Sequence, residues 1–231
     1  MIYVTGDTHG IKGIIDRLQA CQDLTEDDYL IIAGDFGGIW STSIAGIKEE
    51  IYQLDMISER LKFPLLFIDG NHENFDRLSQ YPVEKWNQGL AAEIRPNIIY
   101  LQRGSNYFLQ GNWIFTLGGG TSIDKNARIP GRSWWPQENI IEHTDIKAMY
   151  QNFIYHNYHY DYVITHSAPA LWAKKTLAMF NSKYFEDDNS NFLTGLRKML
   201  SYKKWYFGHY HFDYNDKNFR ALYWNVVPLG E

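Results

Sequence analysis

Cysteine is almost absent from this sequence, since Cys21 is the only one in 231 residues. One cysteine excludes an intrachain disulfide framework of the kind that secreted domains use. Long apolar runs are absent too, because none approaches the ~20 residues that a membrane-spanning helix needs. The first residues, MIYVTGD, have neither the charged region nor the long apolar region of a secretory signal. We therefore expect a soluble, cytoplasmic protein without a membrane partner.

Basic residues are in the minority. The 22 Lys and Arg residues against 27 Asp and Glu residues give a net charge of −5, and the sequence pI is near 5.9. This balance argues against generic binding to nucleic acid or to an anionic membrane, both of which need a basic surface. A specific basic pocket is compatible with it. The length and the 45% apolar content predict one or at most two domains. Because the sequence has no internal repeat, low-complexity tract or linker, we expect a single domain over residues 1–231, of open oligomeric state.

Five short apolar runs of similar composition are present, and each stops at Asp, Asn or His. They are IYVTGD (2–7), YLIIAGD (29–35), PLLFIDGNH (64–72), YVITH (162–166) and WYFGH (205–209). Short, nearly continuous apolar runs are typical of strands in a sheet that is covered on both faces. Apolar residues at helical spacing over 11–18 and 44–61 lie between the first three runs. The pattern predicts a βαβαβ opening of an α/β fold.

The middle of the chain has a different pattern. Residues 97–119 predict three strands at hairpin spacing, with a turn at Gly111-Asn112, and indicate an antiparallel part of a second sheet. Residues 120–137 show no periodicity, and a loop of this length is usually functional or disordered. The remaining predicted elements are a helix from about 138 to 156, a helical segment over 170–200 broken by EDDNSN at 186–191, and a closing hairpin that turns at 215–218.

The strand ends carry side chains that can bind metal. They are Asp7, His9, Asp35, Asn71, His72, His166, His209 and His211. Because the carboxyl ends of parallel strands face one crevice, we expect these groups to converge. Seven or eight oxygen and nitrogen donors are too many for one catalytic zinc. They suit two ions that share a bridging carboxylate and keep open positions for water and substrate.

Five sequence blocks carry a family resemblance. GDTHG (6–10), GDFG (34–37), GNHE (70–73), TH (165–166) and GHYH (208–211) resemble, in order and type, the blocks of the calcineurin-like metallophosphoesterase family. The resemblance implies a two-sheet β-sandwich flanked by helices, with a dinuclear metal site at the strand ends. The stretch GGGTSIDKNARIPGRSWW (118–135) is similar to an insert of a bacterial and phage subgroup, so the chain resembles a small single-domain member.

The resemblance also implies roles for individual residues. The metal ligands would be Asp7, His9 and His211 for one ion, Asn71, His166 and His209 for the other, and Asp35 as the bridge between them. The activity implied is hydrolysis of a phosphomonoester or phosphodiester, nucleotide-like esters included, by a water that two divalent ions activate. Manganese is the first expectation, with iron and zinc as alternatives. His72 would donate a proton or a hydrogen bond to the leaving group.

One departure from the pattern bears on the substrate. Ser/Thr phosphatases of this superfamily have Asp-Arg-Gly just after the second block, whereas this chain has GDFGGIW (34–40). A phosphoprotein substrate is therefore not expected, and the group that orients His72 is open. The cation that would bind phosphate is instead expected among Arg103, Lys125, Arg128 and Arg132. Trp134 and Trp135 either stack on a base or pack against the core.

Two other functions compete with hydrolysis of a small ester. A catalytically inactive scaffold for protein contacts would have lost a ligand or His72, and none is missing from the sequence. A nuclease of the same superfamily would be expected to carry a larger accessory domain and a basic groove, which neither the length nor the charge favours.

Overall fold

A computed structural model describes all residues, 1–231. The strands are β1 (Ile2–Thr5), β2 (Tyr29–Ile32), β3 (Leu65–Phe67), β4 (Val83–Trp86), β5 (Gly89–Arg95), β6 (Ile98–Leu101), β7 (Ser105–Leu109), β8 (Asn112–Leu117), β9 (Tyr162–Thr165), β10 (Lys204–Phe207), β11 (Tyr214–Asn215), β12 (Phe219–Ala221) and β13 (Val227–Pro228). The α-helices are α1 (Ile11–Gln19), α2 (Ile44–Ser58), α3 (Phe75–Leu78), α4 (Ile140–His143), α5 (Ile146–Tyr155), α6 (Ala170–Met179) and α7 (Asp188–Met199). Short 3-10 helices occur at Lys125–Ala127 and Pro136–Glu138. No helix combines the length and the apolar composition that crossing a bilayer requires.

The strands form two mixed sheets. The first has the order β13-β1-β2-β3-β6-β5-β4, and the second has the order β11-β12-β10-β9-β8-β7. Strands β1, β2, β3 and β6 are parallel in the first sheet, and β8, β9, β10 and β12 are parallel in the second. The motif-bearing strands β1, β2, β3, β9 and β10 are therefore central, and the loops after them reach the same end of the molecule.

Side-chain alternation along the strands builds the layers. Ile31 packs between the two sheets, whereas its neighbours Leu30 and Ile32 pack on the outer face of the first sheet, towards α1 and α2. Phe115 and Trp205 likewise face the helices that cover the second sheet. Successive side chains of a strand point to opposite faces, so continuous apolar runs fill both an inner and an outer core. The predicted α/β sandwich with helices on both sides is confirmed.

The prediction for residues 97–119 was wrong on sheet membership. β6 belongs to the first sheet, where it pairs parallel with β3, and only the β7–β8 hairpin joins the second sheet. The chain crosses between the sheets at 102–104, and strand spacing alone does not reveal which neighbour a strand finds. The hairpin turn is also one residue earlier than predicted, at Gln110-Gly111. Both turn residues have positive φ (48° and 78°), as the two-residue hairpin turn of type I′ requires.

The sequence analysis did not predict one hairpin, and it predicted one continuous helix where the structure has two. β4 and β5 form an antiparallel pair around Asn87-Gln88, at the edge of the first sheet. The helix expected over 138–156 is divided at Asp145, whose side chain accepts a hydrogen bond from the Ala148 amide and so starts α5. The polar run at 186–191 overlaps the start of α7 in the same way, because Asp187 caps that helix.

Candidate metal centre

The loops after the central strands hold their residues in strained conformations. His9, Asp35, His209 and His211 have positive φ values of 50°, 48°, 69° and 55°. A residue other than glycine in this region costs on the order of 1–3 kcal/mol, and such strain tends to concentrate where function needs a fixed geometry. Each of the four carries a predicted metal-binding side chain. The backbone therefore turns each of these side chains towards one crevice.

One group of donors consists of Asp7, His9 and His211. The Nε2 atom of His211 lies 3.1 Å from Asp7 Oδ2, and His9 Nε2 lies 3.6 Å from the same oxygen. The two imidazole Nε2 atoms are 2.8 Å apart. All three residues thus direct a ligand atom to one point, with the atoms within 4.8 Å of one another. This is the set predicted for the first ion.

A second group surrounds His166, which is fully buried. Its Nδ1 donates to the Ala33 carbonyl over 2.9 Å, so in a neutral ring Nε2 carries a lone pair. That atom lies 3.1 Å from Asn71 Oδ1 and 3.3 Å from Asp35 Oδ1. The His209 ring stands 4.9 Å from the His166 ring, centroid to centroid. The structure therefore brings together the residues predicted for the second ion.

Asp35 lies between the two groups. Its Oδ2 is 3.6 Å from His9 Nδ1, and its Oδ1 is 3.3 Å from His166 Nε2. The backbone amide of His72 donates to Oδ1 over 2.7 Å and fixes the carboxylate. This is the position that a bridging ligand needs.

Burial and neighbouring charge set the protonation of the donors. Burial raises the pKa of Asp7, but His166, His211 and His9 outweigh it and hold the pKa well below its usual range. Burial, together with His166, lowers the pKa of His209 to about 3. Anionic carboxylate and neutral imidazole are the forms that bind a metal. These two groups are therefore in their ligating states at neutral pH.

The donor set fits divalent cations. Asp7 Oδ2 is buried and has no hydrogen-bond partner, and the oxygens of Asn71 and Asp35 lie 3.1 Å and 3.3 Å from His166 Nε2. Carboxylate, amide and imidazole atoms that converge in this way are the donor type that divalent manganese, iron or zinc binds. A Cβ atom at Gly70 or Gly208 would overlap these carboxylates, so glycine leaves the space open.

His72 lies at the edge of this centre, and a loop residue covers it. Its ring is 5.1 Å from the His9 ring, and Arg128 Nη1 and Nη2 lie 3.3 Å and 3.2 Å from its Nδ1 and Nε2. A neutral imidazole has one acceptor nitrogen, so only one of these contacts is a hydrogen bond and the guanidinium lies across the ring. Burial, partly offset by Asp35 and reinforced by Arg128, lowers the pKa of His72.

The loop at 120–137 is an ordered part of the site. Arg128 Nε donates to Asp124 Oδ1 over 2.8 Å, and its Nη1 donates to the Ser133 carbonyl over 3.2 Å. Ser122 accepts a hydrogen bond from the Asn71 side-chain amide and donates to Glu138. This chain of bonds directs the Asn71 oxygen, not its nitrogen, towards His166.

The structure separates the other predicted substrate contacts. Arg103 is not free to bind a phosphate, because its side chain is 7% exposed and bonds Asp69 through Nε over 2.9 Å. Trp135 is buried and donates its indole N–H to Asp76 of α3, so it packs against the rest of the protein and offers no open face. Trp134 is half-buried, while Lys125 and Arg132 are exposed. Of the four cations, only Arg128 touches a residue of the centre.

Two supporting residues escaped sequence reasoning. Glu73 is fully buried, and its carboxylate accepts hydrogen bonds from the Phe36 and Gly37 amides, which follow Asp35. Arg17 on α1 donates to the carbonyl of Asp7 and to that of Tyr223. The signal for Glu73 was its position inside the GNHE block, and the signal for Arg17 was its charge beside the apolar stripe of α1.

The comparison with protein families gives one result. A sequence profile described as calcineurin-like phosphoesterase matches residues 1–213. The chain therefore belongs to the calcineurin-like phosphoesterase family, as its five blocks predicted. Members of this family are generally hydrolytic and use dinuclear sites for divalent metals. The comparison with curated proteins gives no match.

Proposed function

We propose that this protein hydrolyses phosphate esters at a centre of two divalent ions. The observation that carries the proposal is the convergence of imidazole, amide and carboxylate atoms, since His166 Nε2 lies 3.1 Å from Asn71 Oδ1 and 3.3 Å from Asp35 Oδ1. The substrate would be a small phosphomonoester or phosphodiester, with nucleotide-like esters included. A cytoplasmic location is part of the same proposal.

The ions would be held as the family pattern implies. One would be bound by Asp7, His9 and His211, the other by Asn71, His166 and His209, and both by Asp35. Bound ions would neutralise phosphate oxygens and acidify a water. Manganese is proposed first, with iron or zinc as alternatives, because the donors are oxygen and nitrogen without thiolate.

Two further side chains would act on the ester itself. The His72 ring lies beside the His9 ring, where it can donate a hydrogen bond or a proton to the departing oxygen. Arg128 lies across His72 and would supply the phosphate-binding cation that the GDFGGIW block lacks. An arginine is suited to this because its planar donors match two oxygens of one phosphate.

The inactive-scaffold alternative is less well supported, since every predicted ligand and His72 is present and the donors converge. The nuclease alternative is also less well supported, because a net charge of −5 does not favour the basic surface that nucleic-acid binding needs. Hydrolysis of a small ester remains the preferred function.

The most direct test compares substrates and metals. We expect the protein with added manganese to hydrolyse at least one member of a panel of phosphomonoesters, phosphodiesters, nucleotides and dinucleoside polyphosphates. Chelation should abolish this activity, and manganese should restore it, because no protein group in the centre replaces the charge of the ions. Full activity in chelated protein, verified as metal-free by elemental analysis, would contradict the dinuclear proposal.

A matched pair of variants tests the loop cation. Arg128→Ala should raise KM for an aryl phosphate by about ten- to hundredfold, because a hydrogen bond to a charged group contributes roughly 1.5–3 kcal/mol. Arg132→Ala is the control, since Arg132 belongs to the same loop and is exposed. Steady-state kinetics on both variants decides the matter. Equal values of KM for the two variants would remove Arg128 from substrate binding.

A further inference from the structure

Trp224 is the only exposed tryptophan among eight. Its side chain is 57% exposed, while the other seven are buried or half-buried. An exposed aromatic ring alone needs no explanation. Trp224 differs because it lies next to the metal centre and its backbone is fixed.

Aromatic contacts connect Trp224 to a candidate metal ligand. The Tyr223 ring stacks on His211 with a centroid distance of 4.7 Å and an interplanar angle of 18°. The Trp224 ring lies 4.8 Å from the Tyr223 ring. Two ring-to-ring steps thus separate Trp224 from His211. A nucleoside covers a separation of this order, because its sugar holds the base away from the phosphate.

The backbone around Trp224 is tied down at several points. The Asp213 carboxylate accepts hydrogen bonds from the amides of Tyr223, Trp224 and Asn225, at 3.0, 2.9 and 3.2 Å. Asp213 follows His211 by two residues, so the same short segment carries a metal donor and anchors the aromatic pair. A ring that is fixed before binding loses little conformational entropy when a ligand stacks on it.

Arg17 supports the indole from one side. Its guanidinium carbon lies 4.3 Å from the centroid of the Trp224 ring, and its Nη2 donates to the carbonyls of Asp7 and Tyr223 at 3.0 and 2.7 Å. One arginine therefore holds both the Asp7 backbone and the indole in position. The other side of the ring is left as a flat apolar surface, since Trp224 is 57% exposed.

We propose that the free face of Trp224 stacks on the base of a nucleotide ester whose phosphate lies at the metal centre. The inference rests on the proposed phosphoesterase function and narrows its substrate class. Stacking on an aromatic ring is tolerant of base identity. We therefore expect a preference for nucleotides over esters without a base, and little discrimination among bases.

The test uses two hydrolysis-resistant probes. One is the phosphonate isostere of AMP, in which a P–C bond replaces the ester, and the other is the corresponding phosphonate of ribose without the base. Calorimetric titration of manganese-loaded protein should show about ten- to hundredfold tighter binding of the first probe, the factor expected for one stacked base. Trp224→Ala should remove most of this preference, and Trp224→Phe should retain most of it.

A control and two outcomes make the test decisive. Tyr155→Ala, which removes an aromatic side chain that is 81% exposed at the end of α5, should keep the full preference. Equal affinity of the wild-type protein for both probes would overturn the inference without any variant. An equal loss of affinity for both probes in a folded Trp224→Ala protein would also overturn the inference, because Trp224 would then only support the structure of the site.

The inference and the proposed function fail in different ways. Wild-type protein that hydrolyses nitrophenyl phosphate with manganese, yet binds both phosphonates equally, leaves the phosphoesterase function intact and removes only the base site. Wild-type protein that hydrolyses no ester of the panel and binds neither phosphonate removes both.

Discussion

Asp35→Asn is expected to lower metal occupancy at both ions and to reduce kcat/KM for an aryl phosphate by at least about a hundredfold. Loss of an outer-shell partner of a metal ligand already costs about 10–100-fold, and Asp35 is positioned as the shared ligand itself. Its two oxygens lie 3.6 Å from His9 Nδ1 and 3.3 Å from His166 Nε2, one in each donor group. The asparagine side chain has the same shape but lacks the charge. Elemental analysis and steady-state kinetics on the folded variant measure both effects.

The control for this variant is His211→Ala, which removes a donor from one group only. We expect this variant to bind one ion more weakly and to keep the other ion bound. Asp35→Asn should therefore be the more damaging substitution. If Asp35→Asn kept two ions per chain and His211→Ala lost more metal and more activity, the bridging position of Asp35 would be contradicted.

His72→Ala is expected to keep both ions and to slow turnover by about 10²–10⁴-fold for alkyl phosphates, the usual range for loss of a general acid. The bond from the residue 72 amide to Asp35 belongs to the backbone, so the substitution leaves that contact in place. Turnover of nitrophenyl phosphate should fall much less, because nitrophenolate departs without a proton. The ratio of kcat/KM for the two esters is the measurement.

His143→Ala is the matched control, since His143 is exposed on α4, away from the centre. This variant should leave kcat/KM unchanged for both esters. Equal losses for both esters in His72→Ala would remove the leaving-group role. Loss of metal would instead make His72 a ligand, and its nitrogen does lie within 4.8 Å of ligand atoms of His9 and Asp35.

The site could be predicted from the sequence to a large extent because its donors follow strands. Apolar runs that end in Asp, Asn or His are local patterns, and parallel strands align their ends without information from distant residues. The same reasoning gave the βαβαβ opening and the covered sheets. It placed Asp7, Asp35 and His166 at one edge of the strands because each follows a largely buried strand within three residues.

The pairing of strands was less predictable. β6 has the same apolar character as its neighbours, yet it joins the first sheet while β7 joins the second. The edge strand β4 is mostly exposed and carries no apolar run, so periodicity gave no signal for it. Sheet membership depends on contacts between residues that are distant in the chain.

By itself the sequence determined the family, the sheet-and-helix layers and the side chains that converge, since these follow from local order and strand ends. Only the tertiary structure distinguished chemically equal groups. Arg103 and Arg128 carry the same guanidinium, but Asp69, which is 34 residues before Arg103, buries and neutralises the first. The loop at 120–137 places the Arg128 guanidinium across His72.

Trp135 and Trp224 differ in the same way. The Trp135 ring is buried and bonded to Asp76, whereas the turn that holds Trp224 leaves its ring exposed. Burial and partners decide what a side chain can bind, and both are set by residues that the chain brings together only when it folds.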